Sequence, residues 1–364
     1  FTPDQKGLWM QRINSIAKVA IIVTSCASPE MSRATEPNVL NVPRTLDLYI
    51  PTPEDNRLSA ERIELGQKLF FDPLLSGDQT LSCSSCHDPQ HSFTVGESLA
   101  KGIYGQRTTR NPPALVNRAY GHSFFWDGRA GSLEEQVLQP IQNEKELYLS
   151  LEDLETRLGK HEEYSTAFRQ VFGQQPRRDD IARALASFVR SLLVGDSPYD
   201  RYLLGDREAL SSEAQRGLTL FRDKANCTAC HAGPNLTDEE FHNTGVAWRD
   251  GKLRDEGRYA VTKRDTDHGA FRTPTLRQVS QTAPYMHDGS LATLAEVVDR
   301  YNQGGIINPH LDREIRPLNL SEQEKKDLMA FLESLTGNIR FRDAGDDADR
   351  ATVSRVGGVA KRQR

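Results

Sequence analysis

Two short runs carry the most specific chemistry in this sequence: Cys83-Ser84-Ser85-Cys86-His87 and Cys227-Thr228-Ala229-Cys230-His231. A Cys-x-x-Cys-His run offers two thiols that can add across the two vinyl groups of one haem, and an adjacent imidazole that can bind its iron. A redox dithiol or half a zinc site would explain one such run. Two complete copies argue for haem attachment. The sequence therefore predicts two covalently bound haem c groups, held by Cys83, Cys86, Cys227 and Cys230, with His87 and His231 on the iron. These motifs use four of the five cysteines, leaving Cys26, so there is no disulfide framework to read.

The elements that must position these motifs read as helices. Ser59-Ala60-Glu61-Arg62 opens a helix whose apolar side is Ile63, Leu65, Leu69 and Phe70, and Asp72-Pro73 stops it before the first motif. Residues 151 to 172 and 179 to 193 show 3.6-residue apolar periodicity, the second through Ile181, Leu185, Phe188, Val189 and Leu192. Ser197-Pro198 reads as the exit into a connector. Residues 213 to 222 repeat the helix-then-motif order. Two more helices are expected, at about 294 to 301 and at 322 to 335 after the capping residue Ser321. No alternating strand pattern of any length appears. The expected class is mainly α, with one helical domain around each covalently bound haem. The 364 residues are ample for two cores. The expected boundaries are an export or lipoprotein signal over 1–26, a linker over 27–56, the haem domains over 57–204 and 205–340, and a disordered basic tail over 341–364.

A formal net charge of −5 gives no reason to expect nucleic acid and suits a neutral or mildly basic protein partner. From Met10 the sequence runs through Arg12 into an apolar stretch ending Val23-Thr24-Ser25-Cys26. That stretch resembles an export signal, and its last four residues resemble a lipoprotein lipobox. Two readings stand: a plain secretory signal, or a lipid anchor at Cys26. No other segment approaches the roughly 20 apolar residues of a membrane span. Covalent haem attachment and an export signal together predict a bacterial periplasmic location.

Several further phrases accompany the haem motifs: Phe125-Trp126-Asp127-Gly128-Arg129, Leu133-Glu134-Glu135-Gln136, and Pro284-Tyr285-Met286-His287-Asp288-Gly289-Ser290. In this order and spacing, residues 57 to 338 resemble the bacterial di-haem cytochrome c peroxidases and their MauG-like relatives. The resemblance implies two cytochrome c-like helical domains, each around one covalently bound c-type haem, of which the N-terminal haem meets hydrogen peroxide and the C-terminal haem relays electrons to it. It places Gln136 and Glu146 on the peroxide side of the first haem and Trp126 between the two haems. It assigns Asn111, with the carbonyls of Thr282 and Pro284, to a calcium site, and oxygen ligands of that kind suit Ca²⁺. The chemistry fits the residue types: a carboxylate can move a proton from the inner to the outer peroxide oxygen, and an amide can hold the peroxide.

Two departures bear on the branch. Peroxidases of the family carry a removable His ligand where this sequence has Ile103, so the first iron is expected to be open without activation. His91 and His122 are read as surface or structural residues. Where those peroxidases have a Met ligand on the second iron, this sequence has Tyr301, as the MauG-like enzymes do, and Met286 is a rival ligand. A phenolate stabilises ferric iron, whereas a thioether raises the potential. Three functions follow: a peroxidase fed by a small donor protein such as a cytochrome c or a cupredoxin, a MauG-like enzyme that oxidises a side chain of a protein substrate, or a di-haem electron carrier without turnover.

Overall fold

The computed structural model describes residues 39–340. The expected signal over 1–26, Cys26, the first part of the expected linker and the tail over 341–364 lie outside the described residues. Ten helices are described: α1 (Ala60–Phe71), α2 (Leu133–Gln142), α3 (Leu151–Lys160), α4 (Glu162–Phe172), α5 (Arg178–Ser191), α6 (Pro198–Leu203), α7 (Ser212–Arg222), α8 (Tyr259–Thr262), α9 (Leu294–Asn302) and α10 (Glu322–Glu333). Six strands of two or three residues accompany them: β1 (Leu193–Gly195), β2 (Phe241–His242), β3 (Trp248–Arg249), β4 (Lys252–Leu253), β5 (Phe271–Arg272) and β6 (Asn338–Arg340). They pair antiparallel as β1–β6, β2–β5 and β3–β4.

Two apolar cores are present, as the class reading expected. The first gathers Ile63, Leu69 and Phe70 of α1 with Ile181, Leu185 and Phe188 of α5 and Leu154 and Leu158 of α3. The second gathers Leu218 and Phe221 of α7 with Leu328, Phe331 and Leu332 of α10 and Val298 of α9. Each is built on one close helix pair, α1 against α5 and α7 against α10. Both pairs depend on a glycine. A Cβ on Gly66 would lie 1.9 Å from the Ala184 carbonyl oxygen, and a Cβ on Gly217 would lie 1.9 Å from that of Asp327. The same phrase surrounds both, Gly66-Gln67-Lys68-Leu69-Phe70 and Gly217-Leu218-Thr219-Leu220-Phe221, so the repeat extends from the motif into the helix that carries it.

Hydroxyl caps start most of the longer helices. Ser59, Ser132, Ser150, Ser211 and Ser321 each accept a hydrogen bond from a first-turn amide, satisfying donors that the helix itself cannot.

Three expectations need correction. The periodicity over 151 to 172 is broken at His161, whose extended backbone (φ −84°, ψ 112°) ends α3 and begins α4. Ser197-Pro198 does not simply exit: Ser197 and Asp200 form a capping box with Pro198 in the first turn, and α6 follows. The stretch expected as a linker packs from Val39 onward. Val39 and Leu40 lie against the first core, Leu46 is buried, and the Tyr120 hydroxyl donates to the Asp47 carbonyl at 2.7 Å.

Candidate haem and peroxide site

Each Cys-x-x-Cys-His run forms a 3-10 turn that its own backbone closes. The His87 amide donates to the Cys83 carbonyl at 3.0 Å, and the His231 amide to that of Cys227 at 2.8 Å. The imidazoles are fixed in the same way. His87 Nδ1 lies 2.9 Å from the Phe93 carbonyl and His231 Nδ1 lies 3.1 Å from the Leu236 carbonyl. A carbonyl can only accept, so Nδ1 carries the proton and Nε2 presents its lone pair. Phe93 and Leu236 both have positive φ, 59° and 52°, which turns their carbonyls back toward the rings. Burial pushes His87 down to about 4 and lowers His231 also, keeping both imidazoles neutral as metal ligands must be.

Two cavities open beside these histidines. The first, about 570 Å³, is lined by Cys86, His87, Trp126, Gln136 and Glu146 together with Arg254, Asp255 and Arg272 from the second half. Its size falls in the range of cofactor-sized pockets, roughly 300–1,000 Å³. The second is lined by Cys227, Cys230, His231, Met286, His287 and Tyr301, with Trp126 contributed from the first half. Trp126 and Arg272 line both.

The residues fit a covalently held haem in each cavity. All four thiols are unpaired. Burial pushes Cys83 and Cys227 up to about 12 and Cys86 up to about 11, far from the depressed values of redox dithiols. Buried polar groups in the shared wall are also incompletely satisfied. Arg118 and Arg272 share one carboxylate, Glu239, at 2.7 and 3.1 Å, and Arg272 Nε has no hydrogen-bond partner among the described residues. That surplus of buried positive charge, which Arg272 brings to both cavities and Arg118 to the first, suits the carboxylates of haem propionates.

Glu146 and Gln136 share the first cavity with His87. Gln136 reaches it from α2. Glu146 comes from the turn after α2, and Asn143 Nδ2 donates to its Oε1 at 2.7 Å. Burial raises the Glu146 carboxyl above its ordinary value, against the Asn143 hydrogen bond and the charge of Arg129. Ile103 is fully buried, and its amide donates to the Glu146 carbonyl at 2.8 Å. The Ile103 segment is thus pinned beside Glu146 through its backbone. His91 is exposed and paired with Asp88 at 3.0 Å, and His122 is exposed.

Trp126 bridges the halves. Its indole N–H donates to the Asn111 carbonyl at 2.7 Å, and its own carbonyl accepts from the Arg272 amide at 2.8 Å. Asn111 also donates its amide to the His287 carbonyl at 2.8 Å, which sets it beside the loop carrying Thr282 and Pro284. Neither of those two carbonyls accepts a backbone hydrogen bond among the described residues.

At the second cavity, three residues besides His231 carry atoms that could bind an iron held there: Met286, His287 and Tyr301. His287 is committed: its ring stacks on Phe271 at 3.7 Å and lies near Asp255. Met286 lines the cavity from a residue with φ 75°. Tyr301 reaches it from α9. Burial and the two thiols raise the phenol above its ordinary pKa.

Known proteins match most of this chain. The family described as di-haem cytochrome c peroxidase matches residues 60–208, and cytochrome c matches residues 214–336. The methylamine utilization protein MauG of Methylorubrum extorquens is 40% identical over 288 residues, covering 79% of this chain and 81% of that protein. The chain belongs to the di-haem cytochrome c peroxidase family. The cytochrome c551 peroxidase of Pseudomonas aeruginosa is 36% identical over 303 residues, covering 80% and 84% of the two chains. Among solved structures, a MauG-like protein associated with microbial copper homeostasis superposes with a TM-score of 0.74 at 36% identity, covering 80% and 95%. The fold class is as the sequence predicted, and two cytochrome c-type domains imply two c-type haems. The matches start after the expected linker and end before the tail. What the sequence alone did not show is the shared wall: Arg118, Glu239 and Arg272 come from three separate segments with no motif to link them.

Proposed function

We propose that this di-haem peroxidase family member reacts with hydrogen peroxide in the first cavity and shares the oxidising equivalents with the second. The observation that carries the reading is Glu146, a buried carboxyl of raised pKa in the same cavity as the His87 imidazole and the Gln136 amide. A haem bound there supplies the redox-active iron. The protein supplies the proton transfer: the Glu146 carboxylate takes the proton from the inner peroxide oxygen and delivers it to the outer one, which leaves as water. The Gln136 amide holds the peroxide while this happens. Trp126, lining both cavities, is the side chain through which electrons pass between them.

The direct test is Glu146→Gln. Both haems should stay attached, while the peroxide reaction, followed by rapid mixing, should slow about 10²–10⁴-fold. An unchanged rate would remove Glu146 from the chemistry.

Tyr301 favours the MauG-like form of this function, in which the final reductant is a side chain of a partner protein. A phenolate on the second iron favours ferric and more oxidised states, which suits storing equivalents for a slow protein substrate. A small cytochrome c or cupredoxin is the donor in the other form. A di-haem carrier without turnover does not account for Glu146 and Gln136 in an otherwise open cavity. Calcium belongs at Asn111 and the uncommitted carbonyls of Thr282 and Pro284, where oxygen ligands suit a hard cation. The chemistry of haem attachment and the apolar N-terminal stretch support a periplasmic setting, with Cys26 as the residue that a lipid anchor would use.

A further inference from the structure

Away from both cavities, Asp265, His268 and His310 gather at the surface. One ligand atom from each lies within 4.8 Å of the others. Asp265 and His268 belong to the turn after α8, and His310 to the loop that follows α9. A single buried side chain joins these two loops. Asn243 Nδ2 donates to the His268 carbonyl at 2.7 Å and to Asn308 Oδ1 at 3.1 Å, and the same Asn308 oxygen accepts from the His310 amide at 3.0 Å. The backbones bearing both imidazoles are thus fixed relative to each other.

The rings are oriented as well. Tyr259 stacks on His268 at 3.7 Å and 18°, and His268 stacks on His310 at 5.0 Å and 28°. His268 Nδ1 lies 2.8 Å from the Asp265 carbonyl. Nδ1 therefore carries the proton, with Asp265 Oδ1 3.5 Å from it, and Nε2 is the ring nitrogen that keeps the lone pair a metal needs. The Asp265 side chain is 86% exposed and can turn without displacing a packed neighbour. The cations nearby are already matched: Arg264 pairs with Asp267 and Lys263 with Glu256.

We propose that Asp265, His268 and His310 bind one divalent first-row transition cation of the zinc or copper kind. Two imidazole nitrogens and one carboxylate oxygen suit these ions and not Ca²⁺. Ligand atoms around a tetrahedral ion stand roughly 3.3 Å apart, so binding draws the exposed Asp265 carboxylate inward and tilts the two stacked imidazoles toward one point, and water completes the shell. The other grouping of this type, Cys230, Asp238 and His242, has no such capacity. Cys230 belongs to a haem motif, and both ring nitrogens of His242 are held by carboxylates, at 2.6 and 3.0 Å.

The test uses the haem-loaded protein, because covalent haem survives chelation. After treatment with a chelator, the protein is dialysed against Zn²⁺ with Ca²⁺ present throughout, and zinc is measured by elemental analysis against protein mass and haem iron. One zinc per chain, one for every two iron atoms, is expected. His268→Gln and His310→Gln should each weaken zinc affinity about tenfold or more, with the haem absorbance spectrum unchanged. Zinc binding that the double His268→Gln/His310→Gln variant retains, or no saturable binding in the parent, would overturn the site. Neither result touches the peroxide chemistry, which does not involve these residues.

Discussion

Glu146 and Tyr301 show how far a side chain's surroundings decide its use. Glu146 is raised by burial, and only its ionised form can accept the peroxide proton. The peroxide reaction should therefore fall as pH drops through a value above the ordinary glutamate value of about 4.3. A rate that stays level through that range would show that another group is the base. Tyr301 is raised by burial, so ionisation at neutral pH requires a cation beside it, such as ferric iron. Tyr301→Met should replace a phenolate by a thioether and raise the potential of the second haem, read by a redox titration. A potential that does not move would give the ligand position to Met286. Both residues are ordinary in the sequence taken alone. Their positions came from the resemblance, and the geometry then placed them on two different cavities.

At the scale of elements, the helix pairs were legible where apolar periodicity and caps agree, as in α1, α5, α7 and α10. Their closest contacts were not. Nothing in local sequence says that Gly66 and Gly217 face a carbonyl from a helix more than a hundred residues away. Gly→Ala in a helix usually gains about 1 kcal/mol of propensity. Here a Cβ would sit 1.9 Å from a backbone oxygen, and the helices would have to separate. Gly217→Ala should therefore destabilise the protein by about 1–3 kcal/mol, the usual cost of overpacking, seen as a lower midpoint in thermal or denaturant unfolding. An unchanged midpoint would mean that α7 and α10 have room to spare. The break at His161 was missed because both sides keep the same apolar phase, and α6 because Ser197-Pro198 starts a helix as readily as it ends one.

Across the whole molecule, charged pairs from separate segments hold the two halves together around Trp126. Arg110 donates to both oxygens of Asp255 at 2.8 and 2.7 Å and to Asp127 at 2.7 Å. Arg258 donates to the Asp127 and Gly128 carbonyls at 2.8 Å. The Arg110 guanidinium holds Asp255 below the ordinary carboxylate range although burial opposes it. Its stabilisation is complete above the unfolded value of about 3.9 and drains away as pH falls through the lower folded value. Asp255→Asn should cost about 1–3 kcal/mol, less than the 3–5 kcal/mol of a fully buried pair, because part of the carboxylate remains in contact with water. The loss should shrink in acid, where the parent carboxylate is itself protonated. Equal losses at neutral and acidic pH would show that packing, and not charge, joins the halves.

The two iron sites should differ at rest, with the first open beside Glu146 and Gln136 and the second closed by Tyr301. An electron paramagnetic resonance spectrum of the ferric, haem-loaded protein, taken without prior reduction, tests this most directly. One high-spin and one low-spin signal of equal amount are expected, with the low-spin signal altered by Tyr301→Met. Two low-spin signals would mean that the first iron is blocked, and the assignment of peroxide chemistry to that cavity would fail.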